Sequence, residues 1–323
     1  MSTAPASIAT TSACGKVILL GEHAVVYGVP ALCGALSRGA EVRVVPGEGR
    51  LSVPAWNLIT PTAKELEEGV ADSSLAQAYA AILRALPMGL PRPDAFDFVA
   101  QFSLPTGAGL GSSAALAVAL VRAIGVVGNA GLGRPLSGSE IAAAALAAEQ
   151  VFHGQPSGLD HTLAQHGGFG LFCRGKGLAP LSLDRARSSV SLCIGHTGRA
   201  RDTKGRVARV AELYRQDEVA VRQRFDRIAA LVERAASAIQ RGDLATLGDA
   251  MNENQAELAC LDVSCPEIET LCDLARQAGA LGCKLTGGGG GGCVVALAPG
   301  READVKAAWQ RAGFASFQVE VGS

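Results

Sequence analysis

The sequence predicts an α+β protein of two domains. Three observations carry this expectation. The chain has 323 residues, and at about 150 residues per domain that length suits two domains. Hydrophobic residues make up 48% and charged residues 18%, which supplies a sizeable core and excludes a disordered chain. Strand-like runs alternate with helix-spaced segments, most regularly in the second half, and a polar stretch at 184–189 separates two textures. The expected domains are therefore 1–186 and 187–323, meeting at a cleft.

Each element has a local reason. Lys16–Leu20 is an apolar run ending at Gly21, expected as a buried strand. Ala40–Val45 is expected as a second strand. Ser74–Leu86 has helical spacing, with Ser73 or Ser74 as its cap. A Pro-rich loop at Pro87–Asp94 leads to alternating Phe96–Leu104, a strand. A glycine-rich turn at Thr106–Ser113 precedes an alanine-rich helix, Ser113–Val127. A loop at Asn129–Gly138 leads to a second such helix, Ser139–Phe152, capped by Ser137 or Ser139. After a loop at His153–Asp160, Phe169–Cys173 and Leu178–Leu183 read as a hairpin. Past the boundary come a strand at Val190–His196, a charged helical region from Thr203 to about Leu261, and a helix at Glu267–Ala278. Strand Cys283–Thr286, six glycines (Gly287–Gly292), strand Cys293–Ala298, helix Glu302–Ala312 and strand Ala315–Val321 complete the chain.

Charge and composition exclude several roles. Lys plus Arg is 29 and Asp plus Glu is 30, a net charge of -1. There is no basic excess to neutralise a phosphate backbone, so no nucleic-acid partner is expected. The nine cysteines show no Cys-x-x-Cys spacing, which suits reduced thiols in the cytoplasm better than disulfides or zinc. Residues 1–14 lack a basic and then apolar leader pattern. The longest apolar stretch, Ala114–Gly128, is interrupted by Arg122 and is expected to be too short for a membrane span.

Three glycine-centred segments carry the chemistry. The first is Pro105-Thr-Gly-Ala-Gly-Leu-Gly-Ser-Ser113. Alternate glycines let backbone amides converge on an anion, and the following helix adds its N-terminal dipole. Ser112 and Ser113 offer hydroxyls to a phosphate or a hydrated Mg²⁺. The plainer alternative is a turn with a capping serine. A P-loop is excluded because Ser112, not lysine, follows Gly111, and the Gly-x-Gly-x-x-Gly spacing of dinucleotide folds also fails.

The second segment, Gly15–Gly28, places Lys16 on a strand and Glu22 and His23 on the loop after Gly21. Singly, each suits a solvated surface as well. The third runs from Glu149 to Asp160 and contains His153-Gly-Gln-Pro-Ser-Gly-Leu-Asp160. A carboxylate on a fixed turn can bind metal or accept a hydroxyl proton, and an Asp after Pro-Ser-Gly is also an ordinary turn residue. The six glycines, closely flanked by apolar β-type runs, read as a tight loop rather than a linker.

Taken together, these segments resemble the signature motifs of the GHMP kinases, the superfamily of galactokinase, homoserine kinase, mevalonate kinase and phosphomevalonate kinase. Residues 15–28 and 153–160 look like its mevalonate kinase branch, and Lys284–Cys293 resembles the third motif. The resemblance implies a two-domain GHMP kinase fold, with an N-terminal domain like ribosomal protein S5 domain 2 and a ferredoxin-like C-terminal domain. It implies ATP and Mg²⁺ as cofactors. Pro105, Gly107, Ala108, Gly109, Leu110, Gly111, Ser112 and Ser113 would contact the nucleotide, and Ser113 and Glu149 would hold Mg²⁺. Asp160 and Lys16 would be catalytic. Glu22, His23, Lys16, Asp160, Thr203 and Gly288 would contact the substrate.

The small molecule implied is mevalonate, phosphorylated on its 5-hydroxyl. Phosphomevalonate stays open because Arg199, Arg201, Lys204 and Arg206 could meet an extra phosphate. A decarboxylase or a catalytically silent sensor on the same fold is the remoter alternative. Relatives are often homodimers, though no interface is legible here. The chain departs from the family's habit where His161 follows Asp160 in place of the common Asn, where Gly288 stands for Ala, and in a helical insertion around residues 60 to 90 that looks short; Asp202 also stands where Asn is common before Thr203 and Lys204.

Overall fold

The computed structural model describes residues 7–105, 107–154, 156–183 and 189–322. Thr106, Gln155 and the expected boundary near 186 lie outside the described residues. The chain forms two compact units, neither continuous in sequence.

The first unit comprises Met1–Gly15, Arg38–Thr106 and Gly111–His166. Strand β1 (Ala9–Leu20) begins here, and β2 (Ala31–Pro46) ends here. Both are longer than expected. The early part of β1 alternates exposed Thr10 and Ser12 with more buried neighbours, a half-buried pattern whose small polar residues hide it. Gly34 and Gly39 resemble breakers within β2. A Cβ at Gly39 would lie 1.9 Å from the Ala13 carbonyl oxygen, so this glycine admits β1 alongside rather than ending the strand.

Short β3 (Leu51–Val53), β4 (Leu58–Ile59) and α1 (Ala63–Glu67) were not expected. The last is started by a reciprocal cap between Thr62 and Glu65. Helix α2 (Ser74–Ala85) is capped by Ser73, and β5 (Phe96–Phe102) pairs antiparallel with β2 from Ala40↔Phe102 to Pro46↔Phe96. The strand order is β4-β3-β5-β2, with β1 also on β2.

Helix α3 (Ser112–Leu132) runs through residues 129–132, which were expected as loop. Its glycines at 125, 128 and 131 are packing notches. Added Cβ atoms there would lie 2.9, 2.6 and 2.1 Å from Leu136, Leu90 and Pro91. The stretch Ser112–Asn129 is, by length and composition, long and apolar enough to cross a membrane, which corrects the length argument above. It is 67% buried in the protein, as a core helix would be. Helix α4 (Gly138–His153) starts from a Ser137–Glu140 capping box. Helix α5 (Leu159–His166), also unexpected, follows. The core lies between the sheet and the apolar sides of α2, α3 and α4, with Val42, Val44, Tyr79, Phe98, Leu116 and Leu120 at its centre.

The second unit comprises Lys16–Ser37, Gly107–Leu110 and Gly167–Ser323. Strands β6 (Phe169–Cys173) and β7 (Gly177–Pro180) form the expected hairpin, and β6 also pairs with Ala31–Gly34 of β2. Strand β8 (Val190–His196) is as expected. The charged helical region is three helices, α6 (Thr203–Gln216), α7 (Glu218–Arg241) and α8 (Leu244–Cys260). Asp217 and Asp243 divide it by capping the next helix in turn. Then follow α9 (Pro266–Gln277), β9 (Gly282–Thr286), β10 (Cys293–Leu297), α10 (Glu302–Arg311) and β11 (Ala315–Val321).

The sheet order here is β2-β11-β8-β10-β9. One cross-strand row runs Phe317, Ile194, Val295, Lys284. It sets a lysine among fully buried neighbours, since Lys284, Ile194 and Val295 are all 0% exposed.

Candidate active site

The first unit gathers oxygen donors at the ends of three helices. Gly111 precedes α3 with φ 75° and leaves the helix without a side-chain cap. Ser112 and Ser113 are the first two helical residues, so neither is spent as a cap, and the plainer reading of these serines falls away. Ser113 Oγ is hydrogen-bonded to His153 Nε2 at 3.1 Å. His153 ends α4, and Glu149 lies four residues earlier. Residues i and i+4 share a helix face, so Glu149 sits one turn from the residue that reaches Ser113.

Glu149 is 1% exposed. Its Oε2 accepts a hydrogen bond from His161 Nδ1 at 2.8 Å, and His161 is buried too. Among the described residues, Oε1 of Glu149 has no hydrogen-bond partner. Asp160 adjoins His161 and is half-buried in the first turn of α5. This corrects its placement on a turn: it is helical, where a carboxylate is favoured by the dipole. One unit thus holds two hydrogen-bonded pairs, Ser113–His153 and Glu149–His161, with Asp160 next to His161 in sequence.

The glycine loop ahead of α3 has a two-residue rhythm. Gly107, Gly109 and Gly111 have φ of 77°, 87° and 75°. Between them Ala108 and Leu110 are buried anchors, 2% and 1% exposed. These two residues anchor the backbone, and of the glycines Gly107 is the exposed one; alternate glycines before a helix are a pattern able to cradle an anion. Within the second unit, the Lys16 amide donates to the Leu110 carbonyl at 2.9 Å. A Cβ at Gly109 would lie 2.7 Å from Arg201 Nη1, which sets a guanidinium beside this loop.

The second unit builds a different cluster around the turn after β1. Glu22 is 1% exposed and Lys284 is 0% exposed. Lys284 Nζ donates to Glu22 Oε1 and to the Leu285 carbonyl. Burial pushes the Glu22 carboxyl above the usual carboxylate range, and the Lys284 ammonium pulls it part of the way back. Lys16 contributes a weaker pull of the same sign.

His23 holds φ 61°, unusual for a residue with a side chain. Its Nε2–H donates to the Gly288 carbonyl at 3.0 Å. Burial lowers its pKa, and the Gly288 bond opposes that shift in part. Thr286 Oγ1 donates to the Ile18 carbonyl at 3.0 Å. Strand β9 and the glycine loop after it are thus joined to β1 and the turn after it by the Lys284–Glu22, Thr286–Ile18 and His23–Gly288 bonds.

Two family departures now have physical reasons. A Cβ on Gly288 would lie 2.4 Å from Thr203 Oγ1, so the threonine takes the space an alanine would need. Asp202 caps α6 by accepting from the Gly205 amide at 2.9 Å, a task that Asp performs as well as Asn. A further departure, His161, is the partner of Glu149 described above.

Lys284 was not singled out from the sequence as a site residue, although it lies in the third motif. A single lysine in a short apolar strand gives no local sign of its partner, and Glu22 is 262 residues away. Of the basic residues that kept phosphomevalonate open, Arg199 pairs with Glu267 at 3.1 Å and Arg206 donates to the Asp262 carbonyl at 2.8 Å.

Residues 73–168 match the family model of the GHMP kinases N terminal domain, and residues 235–315 match that of GHMP kinases C terminal. The chain belongs to the GHMP kinases. Among curated relatives, this GHMP kinase is 35% identical over 317 residues to the mevalonate kinase of Pyrococcus horikoshii, covering 94% of this chain and 92% of that one. It is 36% identical over 294 residues to the mevalonate kinase of Aeropyrum pernix, covering 90% and 88%. Among solved structures, it resembles L. major mevalonate kinase in complex with R-mevalonate. The TM-score is 0.81 at 26% identity, covering 99% of this chain and 98% of that one. The expected α+β GHMP kinase fold is the fold observed.

Proposed function

We propose that this kinase transfers the γ-phosphoryl group of ATP to the 5-hydroxyl of mevalonate. The observation that carries the proposal is likeness to mevalonate kinases over nearly the whole chain, at 35% and 36% identity. The site chemistry agrees with it. The hydroxyl oxygen forms a bond to the γ-phosphorus, the bond from that phosphorus to the bridging oxygen breaks, and ADP leaves. The transition state is loose, so the protein's work is positioning and charge stabilisation. Asp160 takes the hydroxyl proton. Lys16 stabilises charge on the attacking oxygen. Amides of the Gly107–Ser112 loop bind phosphate oxygens.

Mg²⁺ fits the donors present. It favours one or two protein oxygens completed by phosphates and water, and the Ser113 hydroxyl with the open Oε1 of Glu149 is such a set. When bound, it neutralises charge on the β- and γ-phosphates. On this reading His23, Glu22, Thr203 and Gly288 line the acceptor's side of the reaction, with the His23 ring fixed by its bond to Gly288.

Phosphomevalonate is the weaker reading. Two of the four basic residues that would meet its phosphate, Arg199 and Arg206, are engaged with Glu267 and Asp262. A coupled ADP-release assay with mevalonate, phosphomevalonate, galactose and homoserine tests the assignment. Mevalonate is expected to show the highest kcat/KM. A higher value for any of the other three overturns it.

A further inference from the structure

We infer that His161 is a positioning residue that fixes the Glu149 carboxylate for the metal. The inference rests on the reading above, in which Glu149 and Ser113 hold Mg²⁺. His161 comes from α5 and Glu149 from α4, and their side chains are 8% and 2% exposed. A glutamate has three rotatable bonds, and an unbraced carboxylate loses rotamer freedom each time it takes a ligand. The His161 Nδ1–H···Oε2 bond of 2.8 Å removes that freedom in advance. It occupies one oxygen and leaves the other, Oε1, without a partner among the described residues.

The partner's chemistry suits this task. An imidazole N–H satisfies an oxygen without the permanent charge that a lysine would bring against an incoming cation. The ring is rigid, and its backbone adjoins Asp160, so one turn of α5 carries both the proposed base and the brace on the metal carboxylate. His153 bonds Ser113 Oγ from the end of α4 in a parallel way, but it is exposed and braces less. Hydrogen bonds of this outer kind are typically worth about 10–100-fold in metal affinity.

The test is Mn²⁺ binding in the presence of a non-hydrolysable ATP analogue, read from the electron paramagnetic resonance signal of free Mn²⁺. His161→Leu is expected to weaken binding about 10–100-fold, and His161→Asn, whose amide can replace Nδ1–H, to stay within about threefold of wild type. His161→Gln carries its amide at the Nε2 position and is expected to fall with Leu. KM for mevalonate should move less than the metal affinity in every variant.

A folded His161→Leu that binds Mn²⁺ like wild type overturns the inference. Should Leu fail to fold, equal binding by the Asn and Gln variants overturns it. Glu149→Gln separates the two levels. If that variant keeps wild-type Mn²⁺ binding, the metal reading itself is wrong. If it loses binding while His161→Leu does not, only the positioning role is wrong.

Discussion

Two buried glutamates, Glu149 in the first unit and Glu22 in the second, are each about 1% exposed and meet different partners. Glu22 is bonded to the ammonium of Lys284, and its charge is compensated inside the fold. Glu149 is bonded to an imidazole, and each carboxylate keeps one oxygen without a hydrogen-bond partner among the described residues, Oε2 of Glu22 and Oε1 of Glu149. Burying a carboxylate is costly unless it is paired. The first arrangement meets that cost permanently and makes a fixed frame. On the proposed reading, the second would be completed by a cation that arrives with the nucleotide. On that reading, the contrast is between a carboxylate whose cation is built into the fold and one whose cation would come with the nucleotide.

The largest effect should come from the reactive end of the first unit. Asp160→Asn is expected to lower kcat about 10²–10⁴-fold with little change in the thermal midpoint. Lys16→Met, in the second unit, should also lower kcat strongly. Wild-type turnover in both variants would contradict their roles.

Next comes the frame. Lys284→Met leaves Glu22 buried without its cation and should cost about 3–5 kcal/mol in urea unfolding. Adding Glu22→Leu to the same protein should recover most of that loss, because the unpaired charge is gone. Additive losses in the double variant would show that Lys284 stabilises by some other contact.

Smaller effects grade the six-glycine loop. Gly287 and Gly289 both have positive φ, 84° and 74°. A Cβ at Gly287 meets open space, and one at Gly289 would lie 2.0 Å from the Val263 carbonyl oxygen. Gly287→Ala should cost about 1–2 kcal/mol from backbone conformation alone. Gly289→Ala should cost clearly more, by chemical denaturation. Equal costs would mean that the close approach is relieved without penalty.

The smallest effect is a pH dependence at His23. Its folded pKa lies below the unfolded value of about 6.5 because burial disfavours the charged ring. Its contribution is therefore complete above the unfolded pKa and is lost as pH falls through the folded one. Urea midpoints measured from pH 8 to 5 should decline more steeply for wild type than for His23→Gln, which keeps an amide donor towards Gly288 but does not titrate. Parallel profiles would contradict it.

The same contrast explains what was legible in the sequence. The first unit's donors lie within a few turns of one another: Glu149, His153 and Asp160 fall within 12 residues, and the glycine loop leads directly into Ser113. Local motifs therefore draw attention to this stretch, although the roles of Ser113, Glu149 and Asp160 come only with the family resemblance. The second unit's frame depends on pairing between residues near 20 and near 285, which no local pattern reports.

Misread elements follow similar lines. Gly39, Gly128 and Gly131 suggest breaks, yet each is a notch where another segment packs. Helix α5 is short and follows Pro-Ser-Gly, so its start reads as an extended loop. His161 stood out only as a departure from habit, because its meaning lies in a contact with a separate helix.

The central claim is tested most directly by ³¹P nuclear magnetic resonance of the purified protein with ATP, Mg²⁺ and mevalonate. The account predicts a new phosphate monoester signal on the C5 oxygen, growing in step with ADP. ATP left intact, or ADP accompanied only by inorganic phosphate, would contradict it.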